Sequence, residues 1–498
     1  MSFRTLFGLL ILIAGAGITR AQSPASDSLA LAAVFTDHMV LQRNKPVHIY
    51  GRARAGEKVR VGFQGMSRET AADTEGKWKV VFPAQKAGGP YALTVSGAHR
   101  EVVLNDILVG DVWLCSGQSN MDFQLKNAAT GPEELKKGKF NPHIRLLKFR
   151  GSVPWGDIAW DSATLARVNR YDFFKGEWKT PDVNSAAAFS AVAYYFGQQI
   201  AASENVPIGL IQVAVGGSPT ESWIDEKVLA RDSRFAGMLS DWQHSGQIME
   251  WCRERAGVNT RQAQSADQRH PFKPGYNYQA GIAPLTDFPV AGIIWYQGES
   301  NVHNVTLHEA LFEMLVKSWR QSLGNALPFY YVQLSGIERP NWPEFRDSQR
   351  QMLDKISHSG MAVSYDLGDS LDVHPVRKKE IGERLALLAL RGHYGKPVIA
   401  NGPVISKATL GIDGVFLDFT SAQKLRTPNN EPLMGFELLT KSGKRMPAQA
   451  VLSNNRVRIL LPAGEAVQTV LYAYRPFTRA NLYNEAGLPA ATFSISVH

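Results

Sequence analysis

The chain of 498 residues carries 44% hydrophobic and 20% charged side chains, which excludes a disordered polymer, and it exceeds what one hydrophobic core supports, so two or three globular domains are expected. Its formal charge of +9 is moderate for this length and compatible with an acidic substrate. The basic run RKK at 377–379 is only three residues long, so no nucleic-acid-binding tail is present and nucleic acid is not an expected partner.

In chain order, the opening MSFRTLFGLLILIAGAGITRAQ has a positive residue at Arg4, an apolar stretch from Leu6 to Ile18 and small residues before Gln22. That is the pattern of a secretory signal peptide over residues 1–21, and its apolar stretch is too short to span a bilayer as a helix. No later segment reads as a membrane span. The mature protein is therefore expected to be exported, to the periplasm or the extracellular space.

From 29 to 104, short apolar runs such as PVHIYGRA, EKVRVGF and KWKVVFP are separated by the turn segments AGE, DTEGK and KAGGP. This predicts a small antiparallel β-sandwich domain. From 105 to 395 the pattern changes to apolar strands at 107–116, 143–149, 207–215, 290–297, 328–334 and 361–367. Helical stretches at 188–203, 307–323 and 376–392 alternate with them, which predicts a mostly parallel sheet covered on both faces. The polar, irregular segments 124–142, 151–186 and 226–280 are expected to wall a cleft. From 396 to 498 the β signals return in GVFLDFT, NRVRILLP and AVQTVLYAYRP, as a second β domain.

Ligands of open α/β sheets bind beyond the carboxyl ends of the strands. Those ends carry SGQSNM at 116–121, GGSPTESW at 216–223, GESN at 298–301 and GDSLDVHP at 368–375. Ser119 follows its strand near an expected helix start, where backbone N–H groups point into the same space. The segment lacks the closing glycine of G-x-S-x-G, which argues against an ordinary α/β-hydrolase elbow. His374 lies before Pro375, so a helix beginning there would hold the imidazole at its N-terminal lip. A serine nucleophile needs a near-neutral base and that base needs an orienting acceptor, which Asp372 can supply. Gly216 and Gly217 allow backbone N–H groups to approach an oxyanion, with Gln297 or Asn301 adding a side-chain donor. Glu221 and Glu299 are the alternative acids of a glycoside hydrolase. Trp113, Trp223 and Trp295 read as core or cleft wall. The only cysteines are Cys115 and Cys252, Cys115 reads as a buried thiol, and no CxxC or HExxH pattern calls for a metal.

The stretches LAAVFTDHMVLQRNKPVHIYGRARAGEKVRV, VGDVWLCSGQSNM, VPIGLIQVAVGGSPTESWI, IIWYQGESN and DVHPVRKKEIGERLAL carry a family resemblance. Over the whole mature length the chain resembles the sialate O-acetylesterases, of the SGNH (GDSL-like) hydrolase superfamily. The resemblance implies a flavodoxin-like α/β SGNH hydrolase domain with a parallel sheet, flanked by N- and C-terminal β-sandwich-like domains. It implies a serine esterase that removes O-acetyl groups from sialic acids, with no metal or organic cofactor. Ser119 matches the family's nucleophile, His374 its base and Gly217 its oxyanion glycine. The superfamily's last block is usually D-x-x-H, whereas Asp372 stands two residues before His374, so Asp366, Asp369 or a backbone carbonyl are alternatives to Asp372 as the orienting group. Its third block is usually G-x-N, whereas Asn301 stands one place late, so the donor is Gln297 or Asn301. The rival readings are an acetylesterase for another glycan such as xylan or pectin, and a non-catalytic glycan-binding protein.

Overall fold

The structure, a computed structural model, describes residues 29–154, 156–461 and 464–498, so the expected signal peptide over 1–21 lies outside the described residues. The chain begins with strands β1 (Ala30–Leu31), β2 (Val40–Gln42), β3 (Val47–Arg52), β4 (Lys58–Phe63), β5 (Met66–Ala71), β6 (Lys77–Phe82), β7 (Gly88–Ser96) and β8 (Glu101–Gly117). One sheet has the order β1-β3-β6, and β5-β4-β7 continue onto β8 in another. Alternation along β4 and β6 turns Val59, Val61, Phe63, Trp78, Val80 and Phe82 inward and leaves the lysines outside, the signature of sheets with one buried face.

Strand β8 is the structural joint. Its first half pairs antiparallel with β7, and from Asp111 onward it is the centre of a parallel sheet. The turn from one sheet to the other is pinned by Arg43, whose Nε and Nη2 donate to Asp111 at 2.9 and 2.8 Å. Because the strand runs through this joint, it is longer than the 107–116 predicted from its apolar run.

The remaining strands of the large sheet are β9 (Ile144–Gly151), β10 (Phe174–Lys175), β11 (Trp178–Lys179), β12 (Ile208–Ala214), β13 (Gly292–Tyr296), β14 (Phe329–Val332) and β15 (Ser359–Ala362). Their order is β10-β9-β12-β8-β13-β14-β15, parallel from β9 to β15, with β10 and β11 antiparallel on β9, so the sheet is mixed. Every residue of β12, β13 and β14 is buried, and alternate residues join two separate cores. Ile211, Val213, Ile293 and Trp295 share one core with Leu311, Leu315 and Trp319 of the helix Val305–Leu323, where the Trp295 and Trp319 rings meet edge to face. Leu210, Ile294, Tyr330 and Val332 share the other core with Val192, Phe196, Leu385 and Ala389 of the helices Ala191–Glu204 and Lys378–Gly392. Period-2 apolar residues flanked by helices on both faces are what a buried parallel sheet requires.

Two local expectations are corrected. Strand β15 stops at Ala362, because Tyr365–Leu367 turn into a 3₁₀ segment whose Asp366 is gripped by Arg384. The helix after His374 begins at Lys378, so His374 sits in a loop and not at a helix lip. That loop has its own acceptors: Asp369 takes the N–H groups of Leu371 and Asp372, and Asp372 takes that of His374 at 2.8 Å. From Val404 on, the described residues form two four-stranded antiparallel sheets and a two-stranded one. They are tied to the large sheet's end by buried Arg346, which donates to the carbonyls of Ala473, Arg475 and Pro476.

Candidate active site

The three central strands finish level. Ala214 of β12 and Tyr296 of β13 both register on Gly117, the last residue of β8. Gly117 has φ 142°, and a Cβ there would stand 2.1 Å from the Tyr296 carbonyl oxygen, so only glycine lets the chain leave the sheet here. The N–H of Gln118 then bonds Tyr296 O at 3.0 Å, and the short helix Ser119–Asp122 starts at once. Sequence pattern thus becomes geometry: Ser119, Gly216, Gly217, Glu299, Ser300 and His374 line one cleft of about 760 Å³ at the carboxyl edge of the sheet. That volume is within the range of small-molecule sites.

His374 Nε2 stands 2.8 Å from Ser119 Oγ, hydrogen-bonding distance for a nucleophile and its base. Burial pushes the imidazole pKa below its ordinary value, Asp372 opposes that shift, and the cations of Lys378 and Arg339 add to it. The ring is therefore neutral and able to accept a proton near pH 7. Asp372 Oδ1 is 3.4 Å from His374 Nδ1, with 63% of its side chain exposed. Asp366 is held by Arg384 through two bonds of 2.7 Å, and Asp369 caps its own loop, so of the three carboxylates Asp372 is the one that reaches the imidazole.

Gly217 lies across the cleft with φ 69°, in the left-handed region. Its carbonyl accepts from Ser300 Oγ at 2.9 Å, which fixes the peptide that follows it. The N–H groups of Ser119 and Gly217 have no backbone partner among the described residues. The ring of Trp251 packs on Gly217 so closely that a Cβ there would be 2.2 Å from it. Gly217→Ala is expected to cost about 1–3 kcal/mol of stability through backbone strain and displacement of Trp251, and to lower kcat about 10²-fold as the N–H is turned away. Thermal unfolding and steady-state hydrolysis of nitrophenyl acetate measure the two effects.

The structure does not bring Gln297 or Asn301 to the cleft, and this corrects both as side-chain donors. Gln297 Nε2 donates to Asn301 Oδ1 at 2.7 Å, and its Oε1 accepts from Thr220 Oγ1 at 2.6 Å. Asn301 Nδ2 donates to Glu221 Oε2 at 2.9 Å. All four residues are buried, and the network braces the 215–223 loop from behind. Glu221 is fully enclosed, its pKa raised to about 7 by burial, so it cannot pair with Glu299 across a sugar. Trp113, Trp223 and Trp295 are core residues; the cleft's indoles are Trp251 and Trp342.

Sequence reasoning missed a buried polar set behind Ser119. Lys378 Nζ donates to Asn120 Oδ1, and Asn120 Nδ2 donates to Glu299 Oε1 and to the Val373 carbonyl. Asn120 follows the serine and Val373 precedes the histidine, so this set joins the two loops that must stay in register. Burial lowers the Lys378 pKa to about 7 and raises that of Glu299. Nothing in RKK distinguishes enclosed Lys378 from exposed Lys379, and only the packing of its helix does. Cys115 and Cys252 are buried free thiols. Among the described residues there is no cluster of side chains able to hold a metal ion and no helix long and apolar enough to cross a membrane.

Comparison with known proteins follows the same lines. A family model described as "Carbohydrate esterase, sialic acid-specific acetylesterase" matches residues 109–256 and 273–391, more than half the chain. The crystal structure of a carbohydrate acetylesterase from Xanthomonas citri is similar at 31% identity and a TM-score of 0.77, over 94% of this chain and 99% of that one. The sialate O-acetylesterase of Mus musculus is 26% identical over 471 residues, 84% of this chain and 83% of the relative. That of Homo sapiens is 27% identical over 455 residues, covering 82% and 80% respectively.

Proposed function

The chain belongs to the sialic acid-specific acetylesterase family of carbohydrate esterases, carboxylic ester hydrolases that remove O-acetyl groups from sugars, and we propose that it does so on O-acetylated sialic acid through an acyl-enzyme on Ser119. The observation that carries the mechanism is the 2.8 Å contact of His374 Nε2 with Ser119 Oγ at the floor of the cleft. His374 takes the hydroxyl proton as Oγ attacks the acetyl carbonyl carbon. The carbonyl oxygen becomes an oxyanion facing the N–H groups of Ser119 and Gly217, and each such donor is worth roughly 3–4 kcal/mol in the transition state. Collapse breaks the bond to the sugar oxygen, which leaves with the proton held on His374. Water, deprotonated by His374, then attacks the acetyl ester of Ser119; collapse breaks the bond from the acyl carbon to Oγ, His374 returns the proton to Oγ, and acetate leaves. Asp372 orients the imidazole.

The order of the sheet and the four chemical blocks at its edge support an SGNH-type, flavodoxin-like core over 105–395, with β domains at 29–104 and 396–498. The leader-like residues 1–21 support export. A second reading, another acetylated glycan as substrate, is favoured by one observation: the similar solved structure at 31% identity is described as a carbohydrate acetylesterase with no sialic acid specified.

Acetate release from 9-O-acetyl-N-acetylneuraminic acid and from acetylated xylan, with Ser119→Ala as the blank, tests both readings. Release from the sialic acid that vanishes in the variant is the expected result. Release from xylan alone keeps the chemistry and moves the substrate. Because burial lowers the His374 pKa, the acid limb of kcat/KM is expected below about pH 6.5, the ordinary imidazole value. A limb above that value would contradict a base held neutral by its surroundings.

A further inference from the structure

We propose that Gln118 supplies the side-chain donor to the acyl oxyanion, a role its neighbours Gln297 and Asn301 are not placed to fill. The inference rests on Ser119 as the nucleophile, and it goes further by assigning a catalytic residue that touches the reacting oxygen.

The backbone of Gln118 is fixed on both sides. Its N–H bonds Tyr296 O at 3.0 Å, and its carbonyl accepts the N–H groups of Met121 and Asp122 at 2.9 and 3.0 Å. The side chain therefore leaves a rigid point immediately before the nucleophile. It is 3% exposed and lines the cleft beside Ser119, Gly217 and Ser300. Its Oε1 faces two backbone donors, Gly298 N–H and Ser300 N–H, both at 3.4 Å. Two N–H groups converging on one end of an amide identify that end as the oxygen, so the opposite end is the NH₂ group. Among the described residues Nε2 has no hydrogen-bond partner, nor is it one of the sealed, unpartnered polar atoms. An amide with its oxygen anchored in the protein and its nitrogen unpartnered on a cleft wall is a donor waiting for a ligand acceptor.

Elimination leads to the same residue. The turns that carry Ser119, Gly217 and Glu299 hold four side-chain amides: Gln118, Asn120, Gln297 and Asn301. Asn120 donates to Glu299 and Val373 O, Gln297 to Asn301, and Asn301 to Glu221. The Ser300 hydroxyl donates to Gly217 O. Gln118 is the one whose donor end faces the cleft without a partner. Together with the N–H groups of Ser119 and Gly217 it would give the oxyanion three donors, two from the backbone and one from a side chain.

The test compares Gln118→Ala and Gln118→Glu with the unmodified enzyme. Glutamate keeps an acceptor for Gly298 and Ser300 and removes the donor; alanine removes both. The readouts are kcat and KM on nitrophenyl acetate, thermal unfolding, and the Ki of an aryl trifluoromethyl ketone, which forms an oxyanion when Ser119 adds to it. The expected result is a 10²- to 10³-fold fall in kcat for Gln118→Ala with KM within about twofold, and a Ki that rises by a similar factor. Gln118→Glu should lose at least as much at unchanged unfolding temperature. Full activity in Gln118→Glu would assign Gln118 to bracing the turn and overturn the proposal, as would a loss confined to KM. Should Gln118→Ala not fold, Gln118→Glu decides alone. Normal kcat in both variants with Ser119→Ala inactive sinks only the Gln118 assignment, whereas turnover in Ser119→Ala sinks the nucleophile and this inference together.

Discussion

Ser119→Ala is expected to lower kcat for acetyl ester hydrolysis by about 10⁴- to 10⁶-fold, the range seen when a serine nucleophile is removed from a working constellation. The loss should appear in kcat with little change in KM, because the hydroxyl bonds covalently only as the acetyl group transfers. Stability should move by no more than about 0.5 kcal/mol. The reason is local: Oγ meets His374 Nε2, and both residues line the open cleft, so its removal leaves no sealed polar group unpaired. The turn itself is made by Gly117 and by the bond from Gln118 N–H to Tyr296 O, and neither depends on the serine side chain. Hydrolysis of nitrophenyl acetate followed beside thermal unfolding separates the two effects. A folded Ser119→Ala enzyme with even a hundredth of the parent kcat would remove Ser119 from the role of nucleophile.

The parts of the site visible in the sequence are those written in local chemistry. Strands buried on both faces read as continuous apolar runs, and β12 and β13 lie within a residue or two of the runs that predict them. A glycine or serine just past such a run marks where the chain leaves the sheet, so the pattern marked Ser119 and the pair Gly216 and Gly217 as candidates, and the family resemblance singled out Ser119 and Gly217. The direction of a side chain within a turn is another matter. Gln118, Gln297 and Asn301 are all amides beside strand ends, and no spacing rule distinguishes the one facing the cleft from the two facing Thr220 and Glu221. The same holds for Lys378, whose burial depends on how its helix packs on that of Ala191–Glu204. The reach of β8 back to Glu101 was hidden for a related reason: its first half is a half-exposed antiparallel strand and its second half a buried parallel one, so a single strand carries two patterns.

Loss of His374 and loss of its acid should differ widely. His374→Ala removes the one imidazole that contacts Ser119 Oγ among the described residues and is expected to lower kcat about 10⁴-fold or more at neutral pH. Where an acid is buried against its histidine, the amide variant costs a comparable factor, because the imidazole is then held in the wrong tautomer. Asp372 is not such an acid. Its side chain is 63% exposed, it stands 3.4 Å from Nδ1, and the same oxygen accepts the His374 N–H at 2.8 Å. An exposed pair at that distance contributes up to about 1 kcal/mol, so Asp372→Asn should lower kcat only about fivefold. The pH profile gives a second, independent signature. Asp372 raises the His374 pKa, so its neutralisation should move the acid limb of kcat/KM further down the pH scale. A 10⁴-fold loss in Asp372→Asn would instead mean that the loop 369–375 closes on substrate and shortens the contact, which would make closure of that loop part of catalysis.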